Sequence, residues 1–274
     1  MNNSEGMERG MRMPTEDWLD LNERLCFERA DLLRCVSPFP PPHLMQIVSG
    51  LTSEADFAAH GVTIYRAIQG ASPKPLADYR SILDFGCGCG RLGRLFKGHV
   101  GKITGCDIDG RLVDWINGHL SHMKAVRTEP AAPLPFKNDS FDGVISVSVF
   151  SHLDESTQRL YLAELERVST IGAYLFLTTH GERALSRAIS EEHIFKMLEI
   201  PKAGLDRAYA GMSEGRHNFI LQPTAHLTSN RYNYGVAFIP ESYVRRVWTE
   251  YFDVVGIVSG AIHDFQDVIV CRKR

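Results

Sequence analysis

Ser81-Ile82-Leu83-Asp84-Phe85-Gly86-Cys87-Gly88-Cys89-Gly90-Arg91-Leu92-Gly93-Arg94 is the stretch whose reading decides the fold. Its short apolar start, with Pro75 and charged residues upstream, predicts a buried strand. Glycines at 86, 88 and 90 break that strand, and Leu92, Leu95 and Phe96 resume at helical spacing as far as Gly98, the expected C-cap. A strand that turns on glycines into a helix brings bare backbone N–H groups and a positive dipole end against a ligand. Glycine is required where a Cβ would block close approach or forbid the dihedral angles. The stretch therefore predicts a nucleotide-type binding loop.

The charge in the strand narrows the ligand. Gly88-x-Gly90-x-x-Gly93 fits a dinucleotide fingerprint, but a lone match of that kind is weak. Asp84 lies two residues before the first glycine, where a carboxylate repels a diphosphate and favours a ligand with a cationic amino group. The arrangement Asp84-x-Gly86-x-Gly88-x-Gly90 resembles the first motif of the class I S-adenosylmethionine-dependent methyltransferases. That resemblance implies S-adenosyl-L-methionine as cofactor, with Asp84, Gly86, Cys87, Gly88 and Gly90 around its methionine part. A second strand at about Lys102 to Cys106 runs into Asp107-Ile108-Asp109, and Asp107 stands nineteen residues after Gly88. An acid about 20 residues on accepts from ribose hydroxyls in nicotinamide enzymes, and the resemblance puts one there too. Asp107 is thus an adenosine-site residue in either reading, and Ile108 beside it is counted among the methyl donor's binding residues. Asp109 reads as an N-cap for a helix faced by Leu112, Ile116 and Leu120.

Bulk properties exclude several classes. A chain of 274 residues fits one large domain or one domain with an appendage. Its 44% hydrophobic and 23% charged residues are ordinary for a soluble globular protein. A net charge of −3 gives no electrostatic case for a nucleic-acid partner. No apolar run approaches the ~20 residues of a membrane span and no signal peptide opens the chain, so no membrane partner is expected. The six cysteines suit a reducing compartment, and the cytoplasm is the expected location. Cys87-x-Cys89 lacks a second pair at zinc spacing, so no metal site is assigned.

Upstream, Met1 to about Thr15 reads as a disordered tail, followed by one helix carrying Trp18, Leu21, Leu25 and Leu32. Pro38-Phe39-Pro40-Pro41-Pro42 predicts a stiff linker, and His43 to Gln69 a helical zone broken near Gly50 and Gly61. Residues 1–78 are read as a tail and helical extension, either an arm over the ligand mouth or added core. From Ser81, strand and helix alternate, which predicts an α/β fold with a parallel sheet covered on both faces. The last two strands, at about 252–258 and 267–271, are joined by a short connection that suits an antiparallel pair. The resemblance covers Tyr79 to Arg274. It implies a Rossmann-like, doubly wound, seven-stranded sheet, mostly parallel with a reversed last strand. The methyltransferase domain is then 79–274, with an insertion at about 181–238 on the substrate side.

Leu134-Pro135-Phe136 and Ser140-Phe141-Asp142 are similar to the family pattern before the fourth strand. The resemblance implies an acid facing adenine near the third strand, for which Glu129 is the nearest residue, a backbone contact being the alternative. Ligands in open parallel sheets bind beyond the carboxyl ends of strands, which puts Ser146 at the donor's methionine end. His180 ends the fifth strand and is the first choice of general base, ahead of His152 and Tyr232, because histidine titrates near neutrality. A buried packing histidine is the competing role for each. The implied reaction is methyl transfer, most readily O-methylation of a small-molecule or glycan acceptor, with a homodimer as the one protein partnership expected. Two other readings stay open: a donor-binding partner subunit without turnover, and a nicotinamide oxidoreductase.

Overall fold

The computed structural model of the chain describes residues 13–222 and 233–274. The expected tail up to residue 12 and the candidate base Tyr232 lie outside these residues. The chain divides into two compact units, meeting in sequence at Thr128 and Glu129.

The first unit opens with α1 (Thr15–Asp20), a wide helical turn at Leu21–Leu25 and two short helical pieces, Cys26–Glu28 and Ala30–Leu33. One continuous helix was expected here. The buried Asn22 amide donates to the Trp18 carbonyl at 2.8 Å, competing with the helical backbone donor, and Arg29 is extended at φ −134°. α2 (Pro42–Ser49) begins on proline and stops at Gly50, whose φ of +71° no helix continues. α3 (Glu54–Ala71) runs straight through Gly61, where a break was expected. Gly61 is a packing glycine: an added Cβ would lie 2.9 Å from the Arg91 carbonyl oxygen.

β1 (Ser81–Phe85) leads into the glycine turn, and β2 (Lys102–Asp107), α4 (Gly110–His119) and β3 (Met123–Arg127) follow. These strands are parallel in the order β3-β2-β1. The helix expected after the glycines is only one 3-10 turn, Gly93–Phe96. Side chains from elsewhere in the unit take the carbonyls that a longer helix would use. His122 Nε2 bonds Gly93 O at 3.0 Å, Ser37 Oγ donates to Arg94 O at 3.1 Å, and Trp18 Nε1 donates to Leu95 O at 2.8 Å.

The second unit contains β4 (Phe141–Ser146), α5 (Glu155–Val168) and β5 (Ser169–Thr179). Asp154 caps α5 by accepting from Thr157 N at 2.8 Å. The insertion then supplies α6 (Glu182–Ser190), α7 (Glu192–Leu198), α8 (Lys202–Ser213) and an antiparallel pair, β6 (Asn218–Leu221) with β7 (Gly235–Phe238). Leu185, Leu198, Leu205, Ile220 and Phe238 close over one another in one core cluster, which Phe265 from beyond the insertion completes. After α9 (Glu241–Val247), β8 (Asp253–Ile262) and β9 (Gln266–Arg272) complete the order β4-β5-β9-β8, with β9 antiparallel to both neighbours. Together these are the seven strands of the Rossmann-like sheet expected from sequence, mostly parallel with the last strand reversed.

The two glycines of α3 separate packing from propensity. Gly61→Ala should destabilise the protein by about 1–3 kcal/mol because the methyl meets backbone. Gly70→Ala, with nothing within 4 Å of its added Cβ, should stabilise by about 0.5–1 kcal/mol. Denaturant unfolding of the pair measures both, and equal signs would contradict the packing role of Gly61.

Candidate active site

In the first unit, β1 carries Asp84 to the foot of the glycine turn with only 4% of its surface exposed. Among the described residues its Oδ2 has no hydrogen-bond partner. Burial, reinforced by the Asp107 charge and opposed by the Arg91 guanidinium, pushes its carboxyl up to about 7. Gly86, Gly88 and Gly90 adopt φ values of +76°, +54° and +84°, which side-chain-bearing residues avoid. Gly90 is also sterically confined, since a Cβ there would come within 2.7 Å of Leu120 Cδ1.

The N–H groups of the turn are not bare, contrary to expectation. Gly86 N and Cys87 N both donate to Cys106 O, at 2.9 and 3.0 Å, and Gly90 N donates to Cys87 O at 3.0 Å. Gly88 N donates to Asp107 Oδ2 at 2.9 Å, while Asp109 N donates to Oδ1 at 2.9 Å. The half-buried Asp107 therefore ties the end of β2 to the turn, and these N–H groups offset part of the burial that raises its pKa. A diphosphate would find these four donors engaged and no α-helix N-terminus behind them. A cationic group would find the unpartnered oxygen of Asp84. The turn thus suits a positively charged ligand end on electrostatic grounds. Cys87 is buried, its thiol pushed well up by burial and by the two acids, and it acts as a small filler against Gly105. Ile108 follows Asp107 at the end of β2, half-buried.

In the second unit, Ser146 is fully buried at the end of β4, and its Oγ has no partner among the described residues. Glu129 is exposed. His152 and His180 come together, their rings 6.0 Å apart and edge to face. His152 Nδ1 is 2.7 Å from Gly235 O, and a carbonyl only accepts, so Nδ1 carries the proton and Nε2 keeps its lone pair. The ring stacks on Tyr234 at 4.8 Å. His180 is 3% exposed with Nδ1 unpartnered, and burial, with His152 adding to it, pushes it down to about 3. Burial also lowers His152, partly countered by its bond to Gly235. Both rings are neutral at pH 7.

A polar ring missed from sequence holds the turn between β4 and His152. Ser148 N donates to Thr178 Oγ1 at 2.8 Å, Thr178 donates to Gln266 Oε1 at 2.7 Å, and Gln266 Nε2 donates to Ser148 Oγ at 2.8 Å. It fixes Ser148 at φ +57°. Nothing local marks Gln266, which comes from the last strand. Among the described residues, no group of three or more His, Cys, Asp or Glu is placed to hold a metal ion. No helix among them is long and apolar enough to cross a membrane.

A sequence profile described as a methyltransferase domain matches residues 83–177, from β1 through most of β5. The chain thus contains a methyltransferase domain. Its fold resembles a protein of Pyrococcus horikoshii (TM-score 0.58, 16% identity, covering 85% of this chain and 96% of that one). It also resembles a SAM-dependent methyltransferase from Aquifex aeolicus (TM-score 0.51, 14% identity, 86% and 100%). A third likeness is to the 1,6-didemethyltoxoflavin-N1-methyltransferase of Burkholderia thailandensis, solved with 1,6-didemethyltoxoflavin and S-adenosylhomocysteine (TM-score 0.51, 14% identity, 86% and 92%). At such identities these likenesses speak for the fold of this methyltransferase and no further.

The raised pKa of Asp84 makes it costly to the ligand-free methyltransferase. A folded-state pKa of about 7 against an ordinary 3.8 means that stability is lost as pH rises between those values, and the loss is complete above 7. Asp84→Asn should therefore unfold later than wild type at pH 8, by roughly 1–3 kcal/mol, with the gap closing toward pH 4. Thermal or urea unfolding at several pH values measures this, and a variant less stable at pH 8 would show that Asp84 is satisfied in the fold.

Proposed function

We propose that this methyltransferase transfers the methyl group of S-adenosylmethionine to a hydroxyl of a small-molecule or glycan acceptor, with His152 as general base. The observation that carries the reading is the buried, unpartnered Oδ2 of Asp84 beside a turn whose own N–H groups are engaged. Asp84 would hold the cationic amino end of the donor, the glycine turn would admit it closely, and Asp107 and Ile108 would hold its adenosine. When bound, the sulfonium supplies a methyl group already activated for displacement. The protein's remaining task is to align the acceptor, worth up to ~7–11 kcal/mol by proximity alone, and to take its proton.

The proton passes to His152 in this reading, not to His180 as sequence position suggested. His180, pushed down to about 3, is too weak a base at neutral pH. His152 has its tautomer fixed by Gly235 and leaves Nε2 free to accept. His180, packed among Phe238 and Phe265, serves as a neutral wall. Ser146 and Glu129 are kept as donor-side residues of this proposal, and Tyr232 lies outside the described residues. Six free cysteines and a net charge of −3 support a cytoplasmic enzyme with an acceptor other than nucleic acid.

Calorimetry with S-adenosylhomocysteine and with NAD tests the donor, and labelled methyl transfer over an acceptor panel tests turnover. The methyl-donor product should bind and NAD should not; NAD binding alone would defeat the reading. Tight product binding with no transfer to any acceptor would favour a partner subunit. With an acceptor in hand, His152→Gln should lower kcat by about 10²–10⁴ while product affinity stays within about twofold.

A further inference from the structure

One segment of the first unit, residues 18–49, grips the glycine turn from both sides. After the turn, Trp18 and Ser37 hold the carbonyls of Leu95 and Arg94, as described above. Arg94 Nη2 donates to Ser37 O, and Lys97 Nζ donates to Val36 O at 3.3 Å. The Arg94 guanidinium also lies 3.6 Å from the centre of the Phe39 ring. Within the turn, Cys89 Sγ is 3.7 Å from Leu44 O, and the two Cγ atoms of Val48 stand 2.9 Å from where a Cβ on Gly88 would be. Leu44, Met45, Phe57, Cys89 and Leu112 form the apolar cluster under this contact, with Val48 and Trp115 packed on it.

The polar part of this grip is costly for stability alone. Arg94 and Lys97 are 1% and 5% exposed, and burial lowers both pKa values, Arg94 to about 10. Their recorded hydrogen bonds go to carbonyls rather than to a carboxylate. An apolar contact of equal size would bind the segment with less desolvation. What two buried cations add is direction: each fixes one of two consecutive carbonyls, Val36 and Ser37, and so sets the register of the chain entering the proline run. Six residues beyond that run's end at Pro42, in the last turn of α2, Val48 meets the one glycine whose N–H is bonded to Asp107.

We propose that the segment Trp18–Ser49 is a positioning element of the donor site. Val48, held in register by Arg94 and Lys97, keeps the turn at Gly88 in the conformation that binds the methyl donor. The inference rests on the donor reading above and adds residues that the glycine motif does not contain.

The test compares Val48→Ala with Val244→Ala, the same truncation at a fully buried position of α9 in the other unit. S-adenosylhomocysteine affinity is measured by calorimetry, and hydrogen exchange at residues 86–90 is followed without ligand. Val48→Ala should bind about tenfold more weakly and exchange faster in the turn, while Val244→Ala melts earlier with affinity within about twofold. Arg94→Lys keeps the charge but loses the planar stack on Phe39, and should shift affinity in the same direction as Val48→Ala. Wild-type affinity in Val48→Ala, or equal weakening in Val48→Ala and Val244→Ala, would overturn the positioning role while leaving the donor reading intact. No product binding by the wild-type protein would remove both.

Discussion

A carboxylate kept dry and incompletely bonded is the constraint on which the first unit depends. Asp84 sits in the parallel strand that precedes the turn, and the glycines let the chain fold back without covering its Oδ2 with a donor. The turn closes instead on itself, through Cys106 O, Cys87 O and the carboxylate of Asp107. Two acids therefore stand near one another with different duties. Asp107 is satisfied by backbone N–H groups and serves as a tie, whereas Asp84 retains unmet demand for a positive charge. That asymmetry distinguishes an ammonium site from a phosphate site more sharply than glycine spacing does.

Residues close in sequence were legible in the chain; contacts made over long separations were not. Asp84, the alternating glycines and Asp107 could be read because a strand, a turn and the next strand fall within 27 residues of one another. The antiparallel pairing of the last two strands followed from the shortness of their connection, and their order from the family resemblance. The helix after the turn was misread because Leu92, Leu95 and Phe96 carry helical spacing, while the side chains that end the helix early lie 57 and 77 residues upstream. Gly61 was taken for a breaker because composition cannot tell a flexible glycine from one pressed on a backbone carbonyl. The Ser148-Thr178-Gln266 ring carried no local signal at all, and the third insertion helix, α8, was passed over although Leu205, Ala208 and Met212 stand at helical spacing after Pro201.

The two histidines of the second unit show why residue type and strand position do not rank a base. His180 occupies the more central place, at the carboxyl end of β5, and that place is what removes its basicity. Burial penalises the imidazolium, and the neighbouring His152 would add like charge if both were protonated. His152 offsets part of the first handicap through a single backbone contact. By spending Nδ1–H on Gly235 O, it presents a defined acceptor at Nε2 without needing a carboxylate to orient it. The carbonyl comes from the start of β7, so the insertion supplies the orientation of a ring carried between β4 and α5.

Buried charge is distributed differently in the two units, and the proposed donor and acceptor roles account for part of the difference. The first unit encloses an acid and three cations, Arg91, Arg94 and Lys97, and answers the last two with carbonyls and an aromatic face from its own amino-terminal segment. The second unit buries one acid, Asp267, beside the neutral imidazoles of His180 and His217, and lets hydroxyls and an amide close a ring. A donor with a permanent positive charge requires a fixed field, which fixed charges on strands and a braced turn provide. An acceptor that begins and ends uncharged requires only an oriented lone pair in dry surroundings. A field built for the first ligand would hinder the second by stabilising the wrong protonation state. In the proposed reading, the charges of Asp84 and Arg94 serve the donor and the neutral rings of His152 and His180 serve the acceptor.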